Sequence, residues 1–224
     1  MTKVYPNAAN AKFAPAYEPE KLMLSGSDKE DATVLTVWKK SLLLNCNGFT
    51  VFDNKGNLVF RVDNYLAGHK GEIVLMDACG KPLLTIRRKR LSLGDNWMVH
   101  DGETAVNPRF CVRKNVSILN NNKCLAHVTS ANNGKGESKN YDNKNAMLYQ
   151  VEGSYGQRCC AVYDNRRRMV AEIKRKEAAV GGVALGVDVF RLIVQPEIDT
   201  SVAMAFVILL DQMYGTSSFS RRTI

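Results

Sequence analysis

The chain has 224 residues, 45% of them hydrophobic and 24% charged, which is ordinary for a globular protein with a sizeable core. This length allows one large domain or two small ones. The 31 Lys and Arg residues outnumber the 22 Asp and Glu residues, and the net charge of +9 favours anionic lipid or nucleic acid as partners without bearing on the fold.

The N-terminal 30 residues differ in composition from the rest of the chain. They contain Pro6, Pro15 and Pro19 and show no repeating hydrophobic period, so we expect a mobile arm over residues 1–30. They hold no apolar stretch of signal-peptide length, and the six cysteines are scattered without a C-x-x-C pair. These features favour a cytosolic protein with reduced thiols.

Short β-branched and aromatic runs begin at residue 33 and are separated by turn signals about every ten residues. Runs of this length and spacing predict an antiparallel sandwich or barrel. A polar stretch over residues 130–145 interrupts them and predicts one long surface loop. The predicted strands are 33–38, 48–52, 58–62, 72–76, 83–87, 97–100, 109–113, 117–119, 124–128, 146–151, 158–163, 169–174 and 189–195.

Three of the predicted turns share one pattern. Asp53 and Asp77 are each followed three residues later by a glycine, and each turn lies between two apolar strands. An Asp at the start of a type I turn, followed by a left-handed Gly, predicts a bulged hairpin. Asp164 begins a third turn of this kind, although Arg167 stands at the glycine position.

The C-terminal segment predicts a helix over residues 200–213. Asp199 offers an N-cap side chain, residues 202–210 are all apolar, and Gly215 is a stop signal. A helix that is apolar on every face must be buried on every side, and this one is shorter than the roughly 20 residues of a membrane span. We therefore predict a mostly β fold in which a closed antiparallel barrel surrounds this helix, followed by a flexible tail over 215–224.

No set of residues predicts catalysis or metal binding. His69, His100 and His127 are isolated in the sequence, whereas zinc ligands usually come in closely spaced pairs. Cys159 and Cys160 are adjacent on a predicted strand and therefore point to opposite faces. The sequence thus predicts no enzyme activity, no catalytic residue, no metal and no cofactor, unless an open cavity brings polar groups together.

The basic runs are the strongest indication of a binding site. In the second hairpin Leu84 and Ile86 face inward, so Arg87 and Lys89 face outward, and the third hairpin repeats this arrangement. Arg88 and Arg175 lie between these residues and face inward, and because they are at the strand ends, we expect them at the rim of the barrel. These side chains either form a site for anionic lipid or phosphate, or are solvated charges that deter edge pairing. The candidate site residues are Arg87, Arg88, Lys89, Lys174, Arg175 and Lys176.

Five aromatic residues alternate with polar neighbours on the predicted strands, namely Trp38, Phe49, Phe52, Phe60 and Trp97. Aromatic side chains on strands can serve as stacking platforms for single-stranded nucleic acid. Their alternation is better explained by packing into the core, and no zinc finger, helix-turn-helix or RNA-binding motif accompanies them. Nucleic-acid binding is therefore the alternative function, supported by charge alone.

Several motifs occur in a fixed order over residues 31–214. They include Gly48-Phe49-x-Val51-x-Asp53-x-x-Gly56-Asn57, Asp77-x-x-Gly80-x-Pro82, Val170-Ala171-Glu172-x-x-Arg175-Lys176 and Gly186-x-Asp188-Val189-Phe190. Taken together, these motifs resemble the LURP-one-related family of plants. The resemblance implies a twelve-stranded barrel around a central helix, as in tubby proteins and phospholipid scramblases. It also implies a non-enzymatic protein that docks on phosphoinositide membranes or acidic proteins from the cytoplasm or nucleus, in pathogen response or in transcription.

Overall fold

The computed structural model of the chain describes residues 31–40, 48–64, 72–89, 94–103, 106–116, 123–131, 147–176 and 186–215. The predicted arm over 1–30, the predicted strand 117–119, most of the polar loop and the tail beyond Gly215 lie outside these residues. The strands are β1 (Thr33–Trp38), β2 (Gly48–Phe52), β3 (Leu58–Asn64), β4 (Glu72–Asp77), β5 (Pro82–Arg88), β6 (Asn96–Asp101), β7 (Pro108–Lys114), β8 (Cys124–Ser130), β9 (Met147–Ser154), β10 (Cys159–Asp164), β11 (Met169–Arg175) and β12 (Val189–Val194), and the helix is α1 (Thr200–Tyr214).

The twelve strands form a closed antiparallel barrel, as the sequence predicts. Each strand pairs with the next one along the chain, and β1 closes the barrel by pairing with β12 over six residues, from Thr33 opposite Val194 to Trp38 opposite Val189. Because neighbouring strands are antiparallel, all odd-numbered strands end at the same rim of the barrel. We call this the helix-exit rim, because α1 also ends there.

Helix α1 fills the barrel, which explains why its sequence is apolar on every face. All nine residues from Val202 to Leu210 are buried. The helix starts beyond the end of β12, where the carboxylate of Asp199 accepts a hydrogen bond from the backbone N–H of Ser201 at 2.7 Å. It ends at the opposite rim, where Lys114 Nζ donates to the carbonyl of Met213 at 2.7 Å. A cation at this end also opposes the negative pole of the helix dipole.

A polar network holds the end of the helix against the helix-exit rim. The Tyr155 hydroxyl donates to Asp211 Oδ1 at 3.1 Å, and Lys39 Nζ lies 2.8 Å from the same oxygen. The guanidinium of Arg158 stacks on the rings of Tyr155 and Phe190. Burial raises the pKa of Tyr155, so its phenol stays protonated and acts as a hydrogen-bond donor.

The three predicted Asp turns are present and share the same hydrogen bonds. In each turn the N–H of the Asp donates to the carbonyl four residues later, and the N–H three residues later donates back to the Asp carbonyl. The residue at the fourth position has a left-handed backbone in all three, with φ of 84° at Gly56, 89° at Gly80 and 62° at Arg167. Arg167 adopts this conformation despite its side chain, which stacks on Tyr163 and lies 2.7 Å from Glu152.

Candidate functional site

The six basic residues predicted from the sequence lie at the helix-exit rim in two separate groups. Arg87, Arg88 and Lys89 lie at the end of β5, and the other three lie at the end of β11. Strands β5 and β11 are six positions apart in either direction around the barrel, so the two groups are on opposite sides. The hairpins are equivalent in sequence pattern, but their basic residues do not converge on one ligand.

Acidic side chains already neutralise most of the β5 group. Arg87 lies opposite Glu72 of β4 in the strand register, and their charged atoms are 2.9 Å apart. Arg88 pairs with Asp95. Lys89 is exposed and forms no ion pair with the residues that the structure describes. The β5 group therefore has little positive charge left for an external anion.

The β11 group is less neutralised and has a further cation beside it. Lys174 pairs with Glu172 at 2.9 Å, but Arg175 and Lys176 form no ion pair within the described ranges. Arg191 of β12 lies directly opposite Lys174, is exposed, and also makes no ion pair there. Like charges directly opposite each other on neighbouring strands are destabilising, so an external anion would relieve this arrangement. We call Lys174, Arg175, Lys176 and Arg191 the β11–β12 basic cluster.

Arg191 was missing from the residues predicted from the sequence. It is a single cation between the apolar Phe190 and Leu192, whereas the prediction relied on runs of basic residues. Both neighbours are buried, and strand alternation therefore turns Arg191 outward. Its place beside Lys174 depends on the β11–β12 register, which joins two segments separated by residues 176–188.

A groove on the outer surface of the barrel adjoins the basic cluster. It encloses about 670 Å³ and follows the outward face of β1. Arg191 and Lys176 belong to both the groove and the basic cluster. Among the residues that the structure describes, it is lined by Val34, Thr36, Trp38, Phe52, Asp53, Asn54, Gly56, Lys176, Val189 and Arg191.

The floor of the groove is apolar where the outside of a barrel is ordinarily polar. Trp38 is 47% exposed and Val34 39% exposed, and the ring of Phe52 meets that of Trp38 edge-on with centroids 6.4 Å apart. The prediction that Trp38 and Phe52 pack into the core is therefore wrong. Leu35 and Val37 occupy the inward positions of β1, and Trp38 shares the outward phase of Val34.

The other three aromatic residues follow the prediction. Phe49, Phe60 and Trp97 are buried in the core, together with side chains from all twelve strands. Stacking platforms made of these three rings are therefore excluded. The aromatic surface at the groove consists of Trp38 and Phe52.

Among the described lining residues, Asp53 carries a carboxylate, which accepts hydrogen bonds from its own turn. Asp53 accepts hydrogen bonds from the backbone N–H groups of Lys55 and Asn57 at 2.8 Å each, and from the Asn57 side chain at 2.9 Å. The side-chain hydrogen bond from Asn57, with the backbone bonds, holds the pKa of Asp53 below its usual value. Asp53 is therefore ionised at neutral pH, with its oxygens turned to the turn backbone.

The histidines and cysteines form no activated nucleophile among the described residues. His127 Nε2 lies 3.5 Å from Cys124 Sγ, but burial raises the pKa of Cys124, so this residue remains a thiol. Cys159 is exposed and Cys160 buried, so they point to opposite faces as predicted, and burial raises the pKa of Cys160 to about 12. His69 lies outside the described residues.

Within the part of the chain that the structure describes, no group of three or more His, Cys, Asp or Glu side chains is placed to hold a metal ion. The helix found there is too short to cross a bilayer.

Comparison with known proteins identifies the family. Residues 33–211 match the family described as LURP-one-related. Protein LURP-one-related 8 from Arabidopsis thaliana is 53% identical over 219 residues, which cover 97% of this chain and 100% of that protein. Protein LURP-one-related 17 from the same plant is 40% identical over 221 residues, covering 93% and 96% of the two chains.

A solved structure supports the fold. The X-ray structure of a protein from Arabidopsis thaliana matches with a TM-score of 0.57 and 22% identity, covering 81% of this chain and 91% of that one. This likeness shows the tubby-like barrel and nothing about a ligand. The family match spans every strand and most of the helix, and it agrees with the motifs that the sequence displays. The chain therefore belongs to the LURP-one-related family.

Proposed function

We propose that this chain is a non-enzymatic binding protein that docks on anionic, phosphoinositide-containing membrane surfaces through the β11–β12 basic cluster. The observation that carries the proposal is the placement of Arg191 directly opposite Lys174, with Arg175 and Lys176 alongside. These cations gather on one side of the helix-exit rim, and a polyanionic headgroup neutralises several of them at once. The same cluster would also accept an acidic protein, for which the structure offers no distinguishing feature.

The binding free energy expected from the cluster is that of a peripheral, reversible association with the membrane. A basic residue close to an anionic bilayer contributes on the order of 1 kcal/mol of binding free energy. The three cations Arg175, Lys176 and Arg191 form no ion pair within the described ranges, so together they supply about 3 kcal/mol. This is a weak, salt-sensitive association, which is typical of peripheral proteins that lack a lipid anchor.

The filled barrel argues against an enzyme. Helix α1 occupies the interior, where a barrel enzyme or carrier would place its substrate. Among the residues that the structure describes, the groove outside carries one carboxylate, which its own turn engages, and no thiol or imidazole lines it. Nucleophilic catalysis needs a nucleophile activated by an adjacent base, and general acid–base catalysis needs a titratable side chain that is free to exchange a proton.

The setting of the proposal comes from the family. LURP-one-related proteins take their name from expression in response to pathogens in plants. We therefore place the docking event at the cytoplasmic face of a plant membrane, in pathogen response. This setting rests on the family resemblance alone, whereas the binding site rests on the geometry of the β11–β12 basic cluster.

Charge reversal tests the site. A variant that carries Arg175→Glu, Lys176→Glu and Arg191→Glu should lose binding to phosphoinositide-containing phosphatidylcholine vesicles by roughly 100-fold or more, because three contributions of about 1 kcal/mol are removed and repulsion is added. Co-sedimentation at fixed ionic strength measures the change. The matched control is Lys81→Glu, Arg113→Glu and Lys123→Glu, which alters net charge equally at exposed positions away from the cluster.

The control variant should retain binding within a few-fold of the unmodified protein. Equal losses in both variants would show that binding depends on net charge, without a site at the cluster. Both proteins must keep the unmodified melting temperature, which circular dichroism measures, because a partly unfolded barrel would lose binding for an unrelated reason.

A further inference from the structure

The groove beside the basic cluster has a feature that headgroup binding does not require. A site for a soluble anion needs cations and hydrogen-bond donors, but the groove continues from Arg191 onto Trp38, Phe52 and Val34. Large apolar side chains on a protein surface are unremarkable when they are scattered singly. Here two aromatic rings in contact and a valine line one concave surface, which marks a binding site for something apolar.

We propose that this groove holds acyl-chain carbons of a single anionic phospholipid whose phosphates bind Lys176 and Arg191. The proposal rests on the proposed membrane docking and names what the cluster and groove bind together. The cations and the apolar floor of the groove match the charged headgroup and the apolar acyl chains of a phospholipid. The groove volume of about 670 Å³ lies within the range of roughly 300–1,000 Å³ found for small-molecule sites.

The register of the strands places the cations of the groove next to its apolar side chains. Across the β1–β12 pair, Arg191 lies opposite Thr36, and the next outward pair on one side is Trp38 with Val189. Phe52 of β2 lies opposite Thr36 on its other side. Arg191 is therefore one strand spacing, about 5 Å, from Thr36, and two residues along its own strand, about 7 Å, from the apolar Val189.

Charge complementarity favours an anionic lipid over a neutral one. Lys176 and Arg191 flank the groove without an ion-pair partner among the described residues, and Lys174, which is paired with Glu172, lies next to Arg191. The carboxylate of Asp53 keeps its negative charge but is engaged by its own turn, and the two cations outnumber it among the described lining residues. Tryptophan is well suited to the boundary between headgroups and hydrocarbon, because its ring is apolar and its N–H is polar.

Fluorescence quenching by brominated lipid tests the proposal on the full chain. The protein has two tryptophans, and Trp97 is only 5% exposed inside the barrel, so a quencher that acts from outside reports on Trp38. Vesicles in which only the phosphoinositide carries bromine on its acyl chains should quench the emission. Vesicles in which only the bulk phosphatidylcholine carries bromine, at the same bromine content, should quench it less.

Two variants assign the signal to the groove. Trp38→Phe keeps an apolar floor and removes the reporter, so quenching should fall to the level of Trp97. Val34→Asp with Phe52→Ser places polar groups in the floor and should abolish preferential quenching by the brominated phosphoinositide. Val106→Asp is the matched surface control, because Val106 is exposed and does not line the groove, and it should leave both signals unchanged.

The outcomes separate the two proposals. Vesicle binding without quenching by either lipid overturns the lipid groove and leaves docking intact. Greater quenching by brominated phosphatidylcholine shows shallow insertion of Trp38 into the bilayer, which also overturns the groove. Preferential quenching that survives the Val34→Asp and Phe52→Ser changes overturns it as well. Absence of any vesicle binding refutes both proposals.

Discussion

Replacing Phe206 with alanine should lower the free energy of unfolding by about 3–5 kcal/mol, the range for a large aromatic side chain removed from a packed core. Phe206 is 1% exposed at the middle of α1. Its ring centroid lies 5.8 Å from that of Phe110 and 5.6 Å from that of Tyr149. The barrel wall surrounds the helix on every side, so it cannot close over the cavity without breaking strand pairs.

Urea unfolding followed by circular dichroism measures this loss. Phe206→Leu serves as the control, because it keeps most of the volume and should cost less than the alanine change, about 1–2 kcal/mol. A loss below about 1 kcal/mol for Phe206→Ala would contradict a helix enclosed by the barrel.

The second large effect is expected at Gly153 in β9. Its φ is +114°, and a Cβ added to it would lie 2.2 Å from the carbonyl oxygen of Cys159 on the neighbouring strand. Gly153 and Cys160 are paired in the register, so the two strands cannot separate without losing ladder hydrogen bonds. Gly153→Ala should therefore destabilise the fold by about 3 kcal/mol or more, which combines backbone strain with a steric clash.

Gly56→Ala separates these two causes. Gly56 also has a positive φ, +84°, but nothing lies within 4 Å of the added Cβ. Only the strain of the left-handed backbone conformation remains at this position, so we expect the free energy of unfolding to fall by about 1–2 kcal/mol. Thermal unfolding of both variants against the unmodified protein provides the comparison. Equal losses at the two positions would show that the contact between β9 and β10 is looser than described.

Local patterns predicted most of the barrel because they act within one strand or turn. Alternation on β5 placed Leu84 and Ile86 inside and Arg87 outside, and the Asp turns placed the hairpins. The apolar run before Asp211 predicted the central helix. Closure was one way to bury all the faces of this helix, and it was also what the family resemblance implied.

The candidate site depends on which strands are neighbours around the barrel, and local sequence patterns do not show this. The sequence showed that the basic runs of β5 and β11 are equivalent, but not that six strands separate them. It also could not show that Glu72 and Asp95 pair with the β5 arginines. The sequence analysis did not assign Arg191 and Trp38 to a surface site for a related reason. Arg191 joins the cluster through its pairing with Lys174 of β11, and Trp38 joins the groove through its pairing with Val189 of β12, and both partners are distant in the chain.

Competition for the unmodified protein tests membrane docking most directly. The full chain is mixed with phosphatidylcholine vesicles with and without phosphoinositide, and soluble inositol phosphate or duplex DNA is added as competitor. Salt titration would not distinguish the two polyanions, because both bind more weakly as ionic strength rises. We expect binding only to the phosphoinositide vesicles, with displacement by inositol phosphate at concentrations where duplex DNA of equal phosphate content displaces little. Equal binding to both kinds of vesicle, or stronger displacement by DNA, would contradict the account.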